Sequence, residues 1–575
     1  MNMRWVLCLF AIASGHLLAS DAPWKTATTP YYRIISQAND RDTADWMRGF
    51  DQFILSTSGT LGINLRALPP LTVVIFARDK DFSPYKILRP NGKTANVAGQ
   101  FEWQPTWSMI AMAHDAFDEQ SRRTIYHEAT HWLMSVDQSS KPAWFSEGIA
   151  EMFSTFERTG SKVNWAKPIN EHLELLRSRQ EMPLAEFLAE PSALFDRDDR
   201  TNIFYAQAWA FTHFLMFSKD QGRRQLLVKF LDTFKTKSGE ATVNAVFGSS
   251  LPDIDRDFRS YIDQRSWSYM VEPARAAADP PALQPAPGDL VESSLGFLAF
   301  GAGQKDLAQQ HAQKALTLDA SAPDGYALMA YLALDGSHMD VAMTQAEGAL
   351  QRGSKDSAMY VLQGDSYLSG ANSSKHDAAQ LSVTMYENAI NLNPRQLDYY
   401  DRLAYALIRL EKPRDEDTQF LNVGLRIFPG DDWLRVGDAA VDYRLGRRDK
   451  ALSALDDVLR PNNKLDPTEQ SNAVILRSRW LVEAMQSEIA AAVDKQDFAE
   501  ARAVLSRYRE RIGSSPETDM FLKETDSRLE VSEQLAKMRT LISAKKYPEA
   551  RAIAKELLTR PDLPGPLRQY LLKVP

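Results

Sequence analysis

Two kinds of pattern divide the chain. Near the start, β-branched and aromatic runs at 31–35 (YYRII) and 71–76 (LTVVIF) flank a segment of helical length at 42–55, which predicts β-α-β opening a mixed domain. Residues 98–101 and 108–113 predict further strands. From Gln120 to about Arg265 the apolar positions recur at helical spacing, broken near Lys141 and Pro142 and again over 160–168. Between 272 and 289, Pro273, Pro280, Pro281, Pro285 and Pro287 interrupt an Ala-rich stretch. Proline fixes φ and removes a backbone donor, so this stretch predicts an extended spacer.

Beyond the spacer the pattern repeats. Ala315, Ala349, Ala389, Gly424 and Val458 occupy equivalent places near helix ends, separated by 34, 40, 35 and 34 residues. Tyr326, Ala330 and Ala342 fall where a 34-residue helical hairpin repeat places an aromatic and two small residues, and the six extra residues of the third unit fall in the polar stretch 371–376. Small residues let two antiparallel helices approach, and the aromatics fill the remaining holes. This is the tetratricopeptide pattern, expected over 290–462. Past Asn462 the period is lost, yet DFAEARAVL and YPEARAIAKEL read as second halves of similar hairpins, so 463–575 is expected to be a degenerate helical repeat region.

Length and charge narrow the picture. At roughly 150 residues per domain, 575 residues predict three or four domains. Acidic residues outnumber basic ones, 75 to 67, which leaves no cationic excess for a nucleic acid partner. In the first twenty residues Arg4 is the only charge, 5–13 is apolar, and Leu18, Ala19 and Ser20 are small or apolar. That is a signal peptide pattern over 1–20, with an apolar run shorter than the roughly 20 residues that span a bilayer. The expectation is an exported protein, periplasmic or secreted, without a transmembrane helix after signal removal. Cys8, the only cysteine, lies in that run, so removal of 1–20 leaves neither a disulfide framework nor thiol chemistry.

The chemistry is concentrated in TIYHEATHWLM, an HExxH arrangement of His127, Glu128 and His131. On a helix the two histidines stand one turn apart on one face and can reach one cation, while Glu128 is turned by about 100° and can act as general base toward a coordinated water. A hydrolytic zinc site needs a third protein ligand and an open position. Glu147, in WFSEGIAE, is the expected third ligand; Glu151, one turn further, is expected to accept the outer N–H of a ligand histidine. One Zn2+ per chain is the expected cofactor.

HEATHWLM followed by PAWFSEGIAEMF resembles the gluzincin metallopeptidases, especially the peptidase MA-like proteins joined to tetratricopeptide repeats. The resemblance implies an α+β zincin-like catalytic domain over 21–271, linked through 272–289 to an all-α solenoid. It also implies that His127, His131 and Glu147 hold zinc while Glu128 activates water. Thermolysin-like members usually carry aspartate where this chain has Glu151. Tyr205 in FYAQAWAFTHFLM, at the head of a helix, is the candidate donor to the oxyanion of the tetrahedral intermediate; His213 and His172 are alternatives, and each residue also reads as ordinary core. The strand 108–113, followed by His114, is the expected edge for an extended substrate backbone. Trp103, Trp107, Trp132, Trp144 and Trp165 crowd this region, mostly as core, with one or two available to a cleft.

These readings lead to a metallopeptidase acting on a peptide or protein substrate, with the repeat groove open to a protein partner. Two alternatives stand beside it: a tetratricopeptide scaffold or adaptor with a vestigial metal domain, and a zinc amidase acting on cell-wall bonds.

Overall fold

The computed structural model describes residues 22–575 apart from 66–67, 89–93, 95–96, 98, 117, 137–140, 179–180, 190–197, 221, 235–238, 371, 462 and 514–515. The signal segment expected at 1–20 lies outside the described residues. The chain forms two compact units, Met1–Gln396 and Leu397–Pro575.

The first unit contains β1 (Lys25–Thr28), β2 (Arg33–Ser36), α1 (Asp40–Leu61), β3 (Leu71–Phe76), α2 (Asp79–Phe82), β4 (Gly99–Trp103), β5 (Ser108–Ala113), α3 (Glu119–Met134) and α4 (Ala143–Ser154). There follow β6 (Glu157–Thr159), β7 (Lys162–Trp165), α5 (Asn170–Arg177), α6 (Leu184–Ala189), α7 (Asp198–Phe217), α8 (Gly222–Phe234), α9 (Gly239–Val246), α10 (Leu251–Ile262), β8 (Met270–Pro273) and β9 (Gln284–Pro285). The second break expected at 160–168 is thus part of a β6–β7 hairpin.

Six strands make one sheet in the order β4-β5-β3-β2-β1-β9. Strands β2, β3 and β5 are parallel neighbours, and β4 and β1 join them antiparallel. The expected substrate-pairing edge at 108–113 is therefore corrected. Strand β5 is interior, because β4 folds back along it from Gly99 opposite Met112 to Trp103 opposite Ser108, and β4 is the outer strand.

Alternation along β3 shows why the sheet is buried on both sides. Leu71, Val73 and Ile75 join Ile125, Tyr126, Ala129, Trp132 and Leu133 of α3 in one core. Val74 and Phe76 face the other way, with Ile35, Trp107, Met109 and Ala111, against Val291, Leu295 and Leu298. Those last three belong to α11 (Gly288–Gly301), the first repeat helix. A strand covered on both faces reads as a continuous apolar run, as LTVVIF does.

The stretch 272–289 is extended but does not stand apart as a spacer. Strand β8 pairs with β7, and β9 pairs with β1, so its ends extend two sheets and hand the chain to α11. The prolines are compatible because both pairings are short and at sheet edges.

In the first unit α11 is followed by α12 (Lys305–Leu318), α13 (Pro323–Asp335), α14 (Met339–Gln351), α15 (Ser357–Leu368) and α16 (Ala378–Leu392), packed as consecutive hairpins. Ala315, Ala349 and Ala389 are each 0% exposed in α12, α14 and α16, as the repeat register requires. At Gly364 an added Cβ would lie 2.5 Å from a ring carbon of Tyr386, so the aromatic fills the space the glycine leaves. The extra residues of the third unit fall between α15 and α16; residue 371 itself is outside the described residues.

The second unit runs from α17 (Leu397–Arg409) through α18 (Gln419–Ile427), α19 (Asp432–Arg444) and α20 (Arg448–Val458), then α21 (Pro467–Asp494), α22 (Phe498–Ile512), α23 (Pro516–Ser543), α24 (Tyr547–Leu558) and α25 (Gly565–Leu571). The period fails after 462 because α21 and α23 are 28 residues long where α19 has 13. The second halves α22 and α24 still pack on them. This is a tetratricopeptide-like helical solenoid. Among the described residues no helix is long and apolar enough to cross a membrane.

Candidate metal centre

Asp118 caps α3 by accepting the Ser121 N–H at 2.8 Å, so the helix begins well before His127. The apolar stripe Ile125, Tyr126, Ala129, Trp132 and Leu133 fixes the helix on the sheet and leaves His127 and His131 on a flank. The stripe is locked at both ends: Tyr126 stacks on Phe53 of α1 at 4.3 Å, and Trp132 Nε1 donates to the Pro69 carbonyl at 3.2 Å.

Helix α4 begins after Pro142, whose fixed φ suits a helix entry. It packs against α3 on one side and α7 on the other. Gly148 permits the second contact. A Cβ there would fall 2.4 Å from the Ala208 carbonyl oxygen and 2.2 Å from Thr212 Oγ1, both in α7. The glycine beside Glu147 therefore sets how deeply the glutamate helix is seated.

His127, His131 and Glu147 converge. The two Nε2 atoms are 3.2 Å apart, and Glu147 Oε2 lies 3.1 Å from His127 Nε2 and 3.2 Å from His131 Nε2. A tetrahedral zinc with bonds near 2.0–2.1 Å separates its ligands by about 3.3 Å, so these donor atoms are already at the spacing one ion requires. Among the described residues this is the group of histidine and carboxylate side chains that could hold a metal. The donor set, two imidazoles and one carboxylate, suits zinc and leaves a position open.

Glu151 stands behind His127. Its Oε1 is 3.2 Å from His127 Nδ1, where it can hold the ring with Nε2 free for a metal. Its Oε2 is 3.3 Å from His172 Nε2, a close contact rather than an aligned hydrogen bond. His172, weighed in the sequence as an oxyanion donor, thus sits beside the outer carboxylate. Nothing in its local sequence marks that role; only the packing of α5 on α7 brings it there.

The imidazoles and carboxylates set one another's charge. Burial works against a charge on His127, but Glu147 and Glu151 outweigh it and lift its pKa to about 10. Burial likewise opposes the charge on Glu147, and His127 and His131 overcome it, bringing the carboxyl down to about 2. Glu151, also buried, is lowered in the same way by His127 and His172. A proton on His127 offsets the carboxylates, and a divalent ion bound to the same Nε2 would displace it.

Tyr205 lies in the interior of α7, two turns in, rather than at its head. Its ring meets the His127 ring edge-on at 5.9 Å. Burial and the carboxylates Glu147, Glu128 and Glu151 raise its pKa, so the phenol keeps its proton and can donate. His213 is placed elsewhere in the core, bonded to Tyr261 Oη at 2.8 Å and the Ser268 carbonyl at 2.9 Å. His114 is half-exposed, 3.0 Å from Asp42. Trp107, Trp132, Trp144 and Trp165 are buried, while Trp103, at the end of the outer strand β4, is 45% exposed.

A family model described as "Protein of unknown function (DUF1570)" matches residues 121–238, a span that includes His127, Glu128, His131, Glu147, Glu151 and Tyr205. No curated protein matches the chain. Among solved structures, YrrB, a TPR protein with an unusual peptide-binding site, is 19% identical over 32% of this chain and 89% of its own, with a TM-score of 0.26. A thermophilic TPR protein of Thermus thermophilus, TTC0263, is 16% identical over 34% and 99%, with a TM-score of 0.21. Pseudomonas aeruginosa pilF is 17% identical over 41% and 97%, with a TM-score of 0.22. These likenesses add nothing to the helical hairpins already described in the chain itself.

Proposed function

We propose that the chain is an exported zinc-dependent peptidase of the gluzincin kind, with a zincin-like N-terminal domain and helical repeats that bind substrate or a protein partner. The observation that carries this reading is the convergence of His127, His131 and Glu147 within 3.2 Å of one another, backed by Glu151. Zinc held there would supply a Lewis acid that lowers the pKa of water and polarises a carbonyl. Glu128, on α3 between the two histidines in sequence, takes the proton of the attacking water and returns it to the leaving amine. Tyr205 donates its O–H to the oxyanion as the carbonyl carbon becomes tetrahedral. Export rests on the residue pattern of 1–20 alone.

The test is metal analysis and proteomic cleavage profiling of the purified chain beside Glu128→Gln. One zinc per chain in both forms, with cleavage only in the unaltered chain, is the expected result. Equal cleavage by the Glu128→Gln form removes the general base and with it this reading. Activity on glycan-linked amides but not on peptides would transfer the same machinery to cell-wall bonds.

A second reading has its own support. From Gly288 onward the chain is nearly all helical hairpin, and stacked hairpins form concave surfaces that grip peptides. In that reading the repeats are a protein-binding scaffold and the metal domain is vestigial. A chain that binds no zinc and cleaves nothing, yet holds a partner, would decide for it.

A further inference from the structure

On the far side of the sheet from the metal centre, the first repeats close a cavity of about 480 Å³, within the size range of small-molecule sites. Its floor is the end of the sheet where β2, β3 and β5 begin, at Arg33, Leu71 and Ser108. Its other wall is helical: α11 contributes Ser294 and Phe297, the start of α13 contributes Asp324, and the loop before α15 contributes Asp356. None of His127, His131 or Glu147 lines it.

We infer that this cavity binds a small zwitterion, a free α-amino acid or short peptide, with its carboxylate on Arg33 and its ammonium on Asp324.

Charge and hydrogen-bond capacity select that class. The side chains of Arg33 and Asp324 feel each other's charge but form no ion pair or hydrogen bond with each other or with any other described residue. Each is a half-buried charged side chain without its counterpart. Burial raises the Asp324 carboxyl, Arg33 lowers it and Asp289 raises it again, so its charged form gains from a cation that could meet it directly. Asp356 is already engaged, accepting Tyr331 Oη–H at 2.8 Å and the Ala358 N–H at 2.9 Å. Two donors on the sheet side, Trp107 Nε1 and Ser108 Oγ, are buried without partners. Both atoms lie beneath the cavity surface, out of a ligand's direct reach, so the selection rests on the two charges.

Simpler ligands fit less well. An inorganic anion would meet Arg33 but also Asp324 and Asp356, and a lone cation would meet Arg33 and Lys355. A neutral apolar molecule would leave the charges unpaired. A zwitterion satisfies both walls at once, and Tyr31, Met109 and Phe297 offer apolar contact to its side chain. This inference stands apart from the proposed hydrolysis, since it requires no metal and no cleavage.

The test is calorimetric titration of the full chain, stripped of metal by chelation, with L-leucine, leucyl-leucine and the uncharged analogue N-acetyl-leucine amide. Leucine or leucyl-leucine is expected to bind and the analogue is not. Arg33→Gln and Asp324→Asn are each expected to weaken binding at least about tenfold, the effect of removing one charge-assisted contact. Glu147→Gln is expected to leave it unchanged, which separates this cavity from the metal centre. Absence of binding, equal binding of the analogue, or loss of binding only in Glu147→Gln would overturn the inference. The comparison of zwitterion with analogue on the unaltered chain remains decisive if a variant fails to fold.

Discussion

Gly148→Ala is the smallest change that tests whether the seating of α4 governs the metal centre. The new Cβ would lie 2.4 Å from the Ala208 carbonyl oxygen, whereas ordinary van der Waals contact begins at 3.4 Å, so α4 and α7 must part by about 1.0 Å. The obstacle is backbone and cannot rotate away. Thr212 Oγ1, at 2.2 Å, is a second obstacle, on a residue that is 0% exposed and has little room to turn. Overpacking of this kind costs about 1–3 kcal/mol, and backbone contact puts this case near about 3 kcal/mol. In a unit of this size that corresponds to a fall in Tm of roughly 4 °C. Because Glu147 precedes the altered residue, the donor triangle opens and zinc affinity falls with stability. Calorimetric melting and a competitive zinc titration measure both effects. Adding Thr212→Ala should recover only part of the loss, since the carbonyl contact remains. A Gly148→Ala chain that melts within about 1 °C of the original and binds zinc equally well would refute the argument.

Three further outcomes follow from the site and its surroundings. Glu151→Gln should lower zinc affinity about 10–100-fold while leaving the fold intact, measured by competition with a chromophoric chelator; unchanged affinity would mean that Glu151 does not orient His127. Tyr205→Phe should reduce kcat about 10²–10³-fold at unchanged zinc occupancy, and equal turnover would remove it as the oxyanion donor. His213 is held neutral, its pKa lowered from 6.5 to about 4 chiefly by burial. Its contribution is therefore fully present above pH 6.5 and is lost as the pH falls toward 4, up to about 3 kcal/mol. Urea midpoints between neutral and acid pH should fall more steeply for the original chain than for His213→Asn, and parallel slopes would contradict that assignment.

Much of the site was legible because its signals are local. HExxH at helical spacing fixes two imidazoles and the intervening carboxylate whatever surrounds them, and WFSEGIAE supplied both Glu147 and Glu151 one turn apart. What sequence spacing could not supply were relations between distant elements. His172 reaches Glu151 only through the packing of α5 on α7, and the need for Gly148 appears only once α7 lies against it. The edge strand differs from the expectation for a related reason: the run 108–113 is the more apolar strand because it is interior, and the more polar, outward-lying β4 is the edge. The repeats were readable from Ala315 to Val458 because the hairpin length is constant, and unreadable after 462 where the helices lengthen.

The least expected feature is that the first repeat helix completes the sheet, and it makes a definite claim about where the chain can be cut. Composition marks 272–289 as a spacer, so a fragment ending at residue 289 looks like an intact domain. In the structure that cut removes Val291, Leu295 and Leu298 from the face formed by Ile35, Val74, Phe76, Trp107 and Met109. These large apolar side chains lose their burial together. At about 1.5–3 kcal/mol each, discounted for residual burial in the unfolded chain, the loss is on the order of 10 kcal/mol, comparable with the whole net stability of a domain. A fragment of residues 22–289 is therefore expected to aggregate or to melt without cooperativity, and one of residues 22–396 to fold and hold zinc. Light scattering and thermal melting of the two fragments separate the cases. If the shorter fragment is monomeric and melts like the longer one, the repeats are an appendage to the sheet, and a regulatory link between the two must be sought in solution rather than in a shared core. If it collapses, metal centre and first repeats fold as one body, and no assay of the isolated N-terminal part can be taken to report on either.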